Sequence, residues 1–403
     1  MRIGFISGEY PPETGFGGIG TYTKHCAEYL GGKGHRVTIF SRSIDSSESV
    51  IFQHGVTIVR IPPRPYPLPR FRAAYPLRQW CTRQFPHTLN RLSWSLAVAA
   101  ALKMILKTTP RFDIVEAPEC GAEGLFISCR MARRRIVRMH TPWEMIRELD
   151  RIKEPWGDRI ALPLIERIAA AKAEGRTAPS FAIAKEIRHR WHLHAPEVIR
   201  NPLPVAAYNR SSGKEWIYTG RIERRKGVHH LISAYTACCA RSGRTPPPLT
   251  LIGRAYGSNP DGTDYGDSIR SMIGRIDTGS AVRWIEGASL TEVAEHLRNS
   301  AVAFFPSLWE NFPYTCLEAM ACGCIVVASR CGGFPEIITH DRNGILVDTD
   351  SSAAIEAVMI RLVERPESCD RLGPAARSYV EQHLTPEIAG ARMEQFYREL
   401  LER

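Results

Sequence analysis

The sequence predicts an α/β protein with two open, doubly wound parallel sheets. Two observations predict this class. Short apolar strands alternate with helical segments, and the alternation starts again after Asn201-Pro202-Leu203-Pro204. Parallel strands need a crossover of about a dozen residues, usually a helix, so this alternation favours a parallel sheet in each half of the chain. The length of 403 residues also suits two domains.

The first half opens with one complete strand–helix–strand unit. A strand over residues 2–7 precedes a helix over about 21–30, which Gly31, Gly32 and Gly34 should end before the next strand at 37–40. Residues 94–106 have a helical pattern. The other strands predicted in this half lie at 56–61, 113–115, 136–139 and 182–184.

The second half repeats this order. Strands are predicted at 216–219, 249–252, 282–285, 302–305 and 325–328, and helices at 228–239, 290–297 and 314–321. The chain closes with an amphipathic helix, because Met393, Phe396, Tyr397, Leu400 and Leu401 fall on one helical face. Such a face needs a groove, which the pattern alone does not assign to either half.

The net charge of +11 is concentrated in one segment. Residues 49–112 contain ten Lys and Arg residues and no Asp or Glu, and aromatic residues lie among the cations. This composition suits an anionic membrane surface or stacked nucleic-acid bases. The alternative is a long loop with packed aromatics and solvated arginines. The residues expected to make such a contact are Arg70, Arg72, Arg78 and Trp80.

The cysteines and the apolar runs indicate a reduced, cytoplasmic protein. The N-terminal apolar run is too short for a secretory signal, and no apolar run reaches the ~18 residues of a membrane span. The eleven cysteines are therefore expected to be free thiols. Cys316, Cys322, Cys324 and Cys331 lack a Cys-x-x-Cys pair, so we interpret them as small buried residues and not as a zinc site.

A glycine-rich loop precedes the first helix. Gly15, Gly17 and Gly20 satisfy the G-x-G-x-x-G pattern, but residues 8–14 separate them from the first strand. That spacing is too long for the tight turn of a dinucleotide site. We interpret Gly17 and Gly18 as backbone that lets an anionic ligand approach the start of a helix. A plain turn is the alternative.

A stronger signal lies in the second half. Gly220-Arg221 follows its first strand, and Lys226-Gly227 precedes its first helix. Two cations at a strand end and a helix start suit a diphosphate. Arg224 and Arg225 lie nearby, either as helpers or as solvated charges.

Two glutamates flank the start of a later helix. Glu310 and Glu318 are separated by seven residues, among them Asn311, Phe312 and Pro313. Carboxylates accept hydrogen bonds from the hydroxyls of sugars and of ribose. The alternatives are a helix-start charge for Glu310 and a solvated position for Glu318.

Together these motifs resemble the retaining, GT-B-fold glycosyltransferases of family 4. The resemblance rests on the glycine loop, Gly-Arg with Lys-Gly, and the glutamate pair before an Ala-x-Ala-x-Gly helix. It extends to Gly332-Gly333-Phe334-Pro335-Glu336 and Asn343-Gly344. Asn201-Pro202 resembles the family's Pro-Asn-Gly segment, from which Arg200 and Pro202 depart.

The resemblance implies a domain plan. Two Rossmann-like domains would face each other across a cleft. Residues 1–202 would bind the acceptor and residues 203–385 the nucleotide sugar, and residues 386–403 would form a helix that returns to the first domain. Arg70, Arg72, Arg78 and Trp80 would then contact the acceptor or a membrane.

The resemblance also implies roles for the matching residues. Arg221 and Lys226 would bind the donor diphosphate beside Gly220, and Glu318 would hold the ribose. Glu310 would contact the donor sugar with Asn311, Phe312 and Pro313 beside it. Gly17 and Gly18 would lie near the donor phosphate, and His140 would face the donor sugar. The implied catalytic set is His140, Arg221, Lys226 and Glu310.

The implied reaction is retaining transfer of a sugar from a UDP- or GDP-sugar to a hydroxyl of a glycan, a lipid-linked or a small-molecule acceptor. No metal or other cofactor is expected, since the two cations would take the metal's place, and no nucleic-acid partner is expected. A cytoplasmic enzyme at the inner face of the membrane fits this picture. The alternatives are a nucleotide-sugar epimerase of the same fold, a nicotinamide-dependent oxidoreductase and a non-catalytic sugar-nucleotide-binding protein.

Overall fold

The computed structural model describes residues 1–11, 14, 17–45, 47–66, 68, 75–209, 211, 213–276, 281–348 and 350–403. Their contacts define two compact units. Unit 1 comprises Met1–Arg147, Lys153–Pro202 and Pro386–Arg403, and unit 2 comprises Glu148–Ile152 and Leu203–Thr385. The short segment 148–152 thus groups with unit 2 although the chain on both sides of it belongs to unit 1.

Unit 1 is built on an eight-stranded sheet with the order β3-β4-β2-β1-β5-β6-β7-β8. All neighbouring strands are parallel except β3, which runs antiparallel to β4. The strands are β1 (Arg2–Ile6), β2 (Arg36–Arg42), β3 (Ser49–Gln53), β4 (Val56–Ile61), β5 (Phe112–Pro118), β6 (Ala132–Arg138), β7 (Gly175–Ala178) and β8 (Glu197–Val198).

Helices follow β1, β4, β6 and β7, and a further helix lies at the C-terminus. They are α1 (Gly18–Gly32), α2 (Tyr75–Gln84), α3 (Pro86–Ile105), α4 (Trp143–Asp150), α5 (Trp156–Lys172), α6 (Phe181–Trp191) and the C-terminal α14 (Ala391–Glu402). The central strands are buried on both faces, as in other parallel sheets covered by helices. In β1, for example, Ile3, Phe5 and Ile6 are each at most 2% exposed.

The C-terminal helix packs on unit 1. Its residue Tyr397 is fully buried and donates a hydrogen bond of 2.7 Å to the Glu116 carboxylate of β5. Tyr22 of α1 donates a second bond of 2.7 Å to the same carboxylate. Arg134 Nε donates to the Leu400 carbonyl at 2.8 Å. The helix is therefore tied to the sheet by polar contacts as well as by its apolar face.

Unit 2 is built on a six-stranded, all-parallel sheet with the order β11-β10-β9-β12-β13-β14. Its strands are β9 (Glu215–Thr219), β10 (Leu249–Ile252), β11 (Val282–Ile285), β12 (Ser300–Phe305), β13 (Ile325–Ser329) and β14 (Ile345–Val347). Its helices are α7 (Val228–Arg241), α8 (Tyr265–Gly274), α9 (Leu290–Arg298), α10 (Tyr314–Cys322), α11 (Phe334–Ile337), α12 (Ser352–Glu364) and α13 (Leu372–His383).

The α/β class with two parallel sheets is confirmed, but one predicted strand is wrong. Residues 182–184 lie in the helix α6, because the Ser180 hydroxyl caps its start and accepts a hydrogen bond from the Ile183 N–H at 3.3 Å. The edge strand β3 and the helix α5 were not predicted. Within the described residues, no helix is both long and apolar enough to cross a membrane.

Replacing Tyr397 with Phe should destabilise the protein by about 1–3 kcal/mol, because the buried Glu116 carboxylate would lose one of its two phenol donors. Urea unfolding measures this loss. Tyr66, which is 39% exposed, provides the control. Its change to Phe should alter stability by less than about 0.5 kcal/mol. Equal stability of the two variants would contradict the assigned role of Tyr397.

Candidate functional site

The predicted motifs of unit 2 lie together at the point where the strand order of its sheet reverses. The chain begins this sheet at β9 in the centre, adds β10 and β11 on one side, and then crosses to β12 on the other side. Since β9 and β12 are parallel neighbours, their carboxyl ends lie at the same edge. In open α/β sheets a crevice for ligands forms at such a switch point. Residues 220–227 follow β9 there, and residues 306–313 follow β12.

Lys226 and Glu310 form a buried ion pair across these two loops. Their side chains are 15% and 10% exposed. The Ser307 hydroxyl also donates to Glu310 Oε1 at 3.0 Å. Burial alone would raise the pKa of Glu310, but the positive charges of Lys226 and Arg225 outweigh it, and the pKa lies below its usual value. Burial lowers the pKa of Lys226, although the attraction of Glu310 opposes this effect. Glu310 is therefore held as a carboxylate.

Arg225 holds the loop after β9 in place. Its guanidinium is 6% exposed, pairs with Glu223 and lies 3.4 Å from Asp150 and 3.9 Å from Glu310. Its backbone N–H also donates to Asp150 at 3.0 Å. Arg221 differs, because its side chain is 58% exposed and lies 3.3 Å from Glu223. Of these two arginines, Arg225 is a structural residue and Arg221 is accessible to a ligand.

Glycines let the loops approach each other. At Gly227 (φ 69°) an added Cβ would lie 2.0 Å from the Pro306 carbonyl oxygen, and at Gly332 (φ 51°) it would lie 1.8 Å from that of Glu310. Gly220 has a φ of 142° and leads into Arg221. The Gly333 N–H donates to the Glu310 carbonyl at 2.9 Å. The backbone of Glu310 is thus fixed on one side by the Gly332-Gly333 turn, and its side chain by Lys226.

The second glutamate lies in the helix α10. Glu318 is 9% exposed, and burial raises its pKa to about 7, while a hydrogen bond from the Tyr208 phenol acts in the opposite direction. Asn311 and Phe312 are also buried, at 9% and 4% exposed. Pro313 is the N-cap residue of α10. The alternative prediction, that Glu318 occupies a solvated position, is therefore wrong.

Unit 1 carries the remaining predicted residues. Gly17 is the N-cap of α1 and Gly18 its first residue, whereas Gly15 lies outside the described residues. An added Cβ at Gly17 would lie 2.3 Å from a Glu9 carboxylate oxygen. Gly17 therefore sits against a carboxylate in this structure, and Gly18 is exposed at the helix start.

His140 follows β6 and is neutral at pH 7. Desolvation first, and repulsion by Arg138 second, lower its pKa to about 3. Its ring meets that of Tyr22 edge to face at 5.7 Å. Its backbone N–H donates to Glu119 Oε2 at 2.7 Å. A neutral imidazole can still exchange hydrogen bonds with a sugar hydroxyl.

Buried carboxylates fix the loops around His140. Glu166 of α5 accepts hydrogen bonds from the Gly121 N–H at 2.8 Å and the Trp143 N–H at 2.9 Å. Burial raises the pKa of Glu166 to about 7 and that of Glu119 to about 8. These two acids position the loops after β5 and β6.

The residues of the basic segment are only partly described. Arg78 and Trp80 lie in α2 and are exposed, Trp80 at 47%. Arg70 and Arg72 lie outside the described residues.

One sequence observation bears on metal binding. The triplet Asp348-Thr349-Asp350 is an Asp-x-Asp, and both of its carboxylate residues are exposed. In the described part of the chain, no group of three or more His, Cys, Asp and Glu side chains is placed to hold a metal ion.

Sequence reasoning missed the residues that hold the site together. Asp150 carries no local signal, because it precedes its partner Arg225 by 75 positions. Glu223 lies only two residues from Arg221 and could have been proposed as its counter-charge. Tyr208 and Ser307 are single hydroxyl residues, whose contacts with Glu318 and Glu310 depend on the folded chain.

Two protein families match the two halves of the chain. The family model described as glycosyl transferases group 1 matches residues 207–379, and the one described as glycosyl transferase 4-like domain matches residues 17–204. Together they span most of the chain and meet close to the boundary between Pro202 and Leu203.

Curated relatives match nearly the full length. An MMP alpha-(1->4)-mannosyltransferase of Mycolicibacterium hassiacum is 25% identical, with 94% of this chain and 93% of the relative covered. A glycogen synthase of Mycobacterium tuberculosis is 26% identical, with 94% and 89% covered. A D-inositol 3-phosphate glycosyltransferase of an Arthrobacter species is 25% identical, with 98% and 94% covered.

Solved structures share the fold. A sucrose-phosphate synthase from Thermosynechococcus elongatus superimposes with a TM-score of 0.77 at 20% identity, covering 100% of this chain and 99% of that one. The Anabaena protein HepE, solved with UDP and glucose, gives a TM-score of 0.72 at 17% identity, covering 99% and 100%. These two chains carry the GT-B arrangement of two Rossmann-like domains.

Replacing Gly332 with Ala should destabilise unit 2, because the new Cβ would collide with the Glu310 carbonyl. Gly257 is the matched control, since its φ is +81° and an added Cβ there would have no atom within 4 Å. We expect the Gly332→Ala variant to lose roughly 2 kcal/mol or more beyond the Gly257→Ala variant in urea unfolding. Equal losses would mean that the approach of the two loops is not needed for folding.

Replacing Glu119 with Gln should remove one pH dependence of stability. The folded pKa is about 8 against an ordinary value of 4.5, so between these values the folded protein keeps a proton that the unfolded chain has lost. Stability from this group is present below pH 4.5 and is lost as the pH rises to 8. Gln does not titrate and can still accept from His140. As the pH rises from 5 to 8, the free energy of unfolding of the variant should increase by about 3 kcal/mol relative to that of the wild type, measured by chemical unfolding. Parallel pH profiles would contradict this.

Proposed function

We propose that unit 2 binds a nucleoside diphosphate sugar, because the chain belongs to the glycosyltransferases of group 1, a GT-B-fold family similar to family 4. We further propose that the enzyme transfers the sugar with retention of configuration. One observation carries this proposal. Two cations and two buried glutamates lie around the switch point of the unit 2 sheet. That set offers positive charge for a diphosphate and carboxylates for hydroxyls.

Arg221 and Lys226 contribute differently to binding the diphosphate. Arg221 is 58% exposed, so its guanidinium is available to a phosphate oxygen. Lys226 is paired with Glu310 and adds a buried ammonium beside it. As the bond to the sugar breaks, negative charge grows on the leaving diphosphate, and prearranged cations stabilise that charge more than the ground state.

The glutamates orient the hydroxyls of the donor. Glu310 is ionised and fixed by Lys226, Ser307 and the Gly332-Gly333 turn, so its carboxylate is preorganised for sugar hydroxyls. Glu318 already accepts a hydrogen bond from the Tyr208 phenol and is assigned to the ribose. His140 keeps the role that the family resemblance implies, as a neutral partner for a hydroxyl of the donor sugar.

The proposed chemistry needs no side-chain nucleophile. The bond between the anomeric carbon and the diphosphate oxygen breaks, and a bond from the same carbon to the acceptor oxygen forms on the same face. The acceptor's proton passes to the leaving diphosphate. Retention follows because departure and attack share one face of the sugar.

The donor and the acceptor are proposed as classes. HepE was solved with UDP, and the catalytic domain of an Arabidopsis starch synthase IV with ADP and acarbose. The curated relatives carry the names of a mannosyltransferase and a glycogen synthase. We propose a UDP- or GDP-sugar as donor, test an ADP-sugar beside them, and propose a hydroxyl of a glycan, a lipid-linked or a small-molecule acceptor. Metal independence stays a proposal, tested by transfer in the presence of EDTA.

Replacing Lys226 with Met, or Arg221 with Ala, should lower kcat/KM by about 30- to 1000-fold, equivalent to ~2–4 kcal/mol of lost transition-state stabilisation. The measurement is release of nucleoside diphosphate from a panel of UDP-, GDP- and ADP-sugars with a mixture of glycan acceptors. Arg241→Ala is the matched control, since this arginine is 72% exposed and pairs with Glu356. Wild-type rates in both test variants would refute the diphosphate assignment.

The same reaction tests retention. An α-linked donor should give an α-linked product, read from the anomeric proton by NMR. A β-linked product would contradict the same-face mechanism while leaving the donor site intact.

A further inference from the structure

The helix α5 buries its two carboxylate residues and exposes four large apolar ones. Its two carboxylates, Asp158 and Glu166, are both fully buried. Four large apolar residues are exposed instead: Trp156 at 57%, Ile160 at 60%, Leu164 at 51% and Ile168 at 36%. A surface helix of a water-soluble domain normally shows the opposite arrangement. A contiguous exposed apolar face of this kind marks an interaction surface.

The buried carboxylates explain why α5 holds this orientation. Asp158 accepts hydrogen bonds from the His87 N–H at 3.0 Å and the Thr88 N–H at 2.8 Å, at the start of α3. Glu166 accepts from the Gly121 and Trp143 N–H groups. Rotating α5 to bury its apolar stripe would leave these backbone donors unpaired. The stripe therefore stays outside for a structural reason.

The exposed residues form one continuous stripe. They are four positions apart, and each step of four residues turns the helix by about 40°. Trp156, Ile160, Leu164 and Ile168 thus cover about 120° of its circumference. That width matches the roughly 100° or wider apolar stripe by which an amphipathic helix packs on a partner surface.

The helix α2 extends this surface. It contacts α5, and a chain of edge-to-face rings links them through Phe85, with centroids 5.7 Å from Trp80 to Phe85 and 6.2 Å from Phe85 to Trp156. None of the side chains of α2 is buried. Tyr75 is 60%, Leu77 55% and Trp80 47% exposed. Together the exposed faces of these helices form what we call the α2–α5 surface.

The charges on the α2–α5 surface are all positive. The sequence of α2 contains no Asp or Glu, and those of α5 are buried. The exposed cations are Arg78, Arg83, Arg159, Arg167 and Lys172. Large apolar residues with cations among them and no exposed acid match an interface with anionic lipid headgroups.

We propose that the α2–α5 surface docks on an anionic lipid bilayer, with its apolar side chains among the acyl chains and its arginines at the headgroups. A second copy of this chain fits less well, because a two-fold contact would bring arginines against arginines with no acid to pair them. A nucleic acid fits less well, because the aliphatic residues Ile160, Leu164 and Ile168 offer it neither stacking nor hydrogen bonds.

The test is sedimentation of the full chain with sucrose-loaded vesicles of phosphatidylcholine alone or with 30% phosphatidylglycerol. The wild type should bind the anionic vesicles at least tenfold better than the neutral ones, and added salt should weaken binding. The double variant Ile160→Ser, Leu164→Ser should lower the partition coefficient about tenfold or more. Arg159→Ser with Arg167→Ser should lower it about 25-fold, since each cation near such a surface is worth about fivefold.

The matched control removes two other exposed aliphatic residues. Leu290 is 50% and Ile388 45% exposed, and both lie outside the α2–α5 surface. Leu290→Ser with Ile388→Ser should bind vesicles as the wild type does. Absence of wild-type binding, equal binding to neutral vesicles, or equal loss in the control would overturn the proposal. So would dimerisation in analytical ultracentrifugation that the Ile160→Ser, Leu164→Ser variant abolishes. No donor is present, so this test stands apart from the transferase proposal.

Discussion

The Lys226–Glu310 ion pair is the interaction on which the site of unit 2 depends. Each partner is largely buried, and removing one would leave the other as an uncompensated charge. Arg225, Glu223 and Asp150 surround the pair and keep the positive and negative charges nearly equal. A nearly neutral, prearranged cluster of this kind can receive a phosphorylated ligand without reorganising its own charges, which is the property that electrostatic catalysis requires.

The fold supplies the constraint that brings these charges together. The first strand of the unit 2 sheet, β9, lies in its centre, and the strand order reverses between β9 and β12. The loops after β9 and β12, which are distant in sequence, therefore lie at one edge of the sheet. Loops at this edge approach closely enough that side chains at two positions would collide with backbone carbonyls. Gly227 meets this requirement where the loop after β9 passes Pro306. Gly332, in the loop after β13, meets it where that loop passes Glu310, and both glycines have a positive φ. In unit 1, buried Glu119 and Glu166 fix the loops around His140 by accepting hydrogen bonds from backbone N–H groups.

The sequence predicted what periodicity and short motifs encode. The strands 249–252 and 282–285 were placed at their observed bounds, and the residues of the motifs Gly220-Arg221 and Lys226-Gly227 lie at the switch point. The prediction failed where tertiary contacts decide. Residues 182–184 form a helix because Ser180 caps it, and an apolar triplet carries no period that separates helix from strand. Asp150 and the outward face of α5 depend on partners far along the chain.

Calorimetric titration of UDP, GDP and ADP into the wild type and the Glu318→Ala variant tests the central claim most directly. The account predicts that one nucleoside diphosphate binds the wild type, and that binding weakens at least tenfold in the variant, which loses a charge-assisted hydrogen bond to the ribose. Equal affinity of the two proteins, or binding of none of the three nucleotides, would contradict the assignment of the donor site to unit 2.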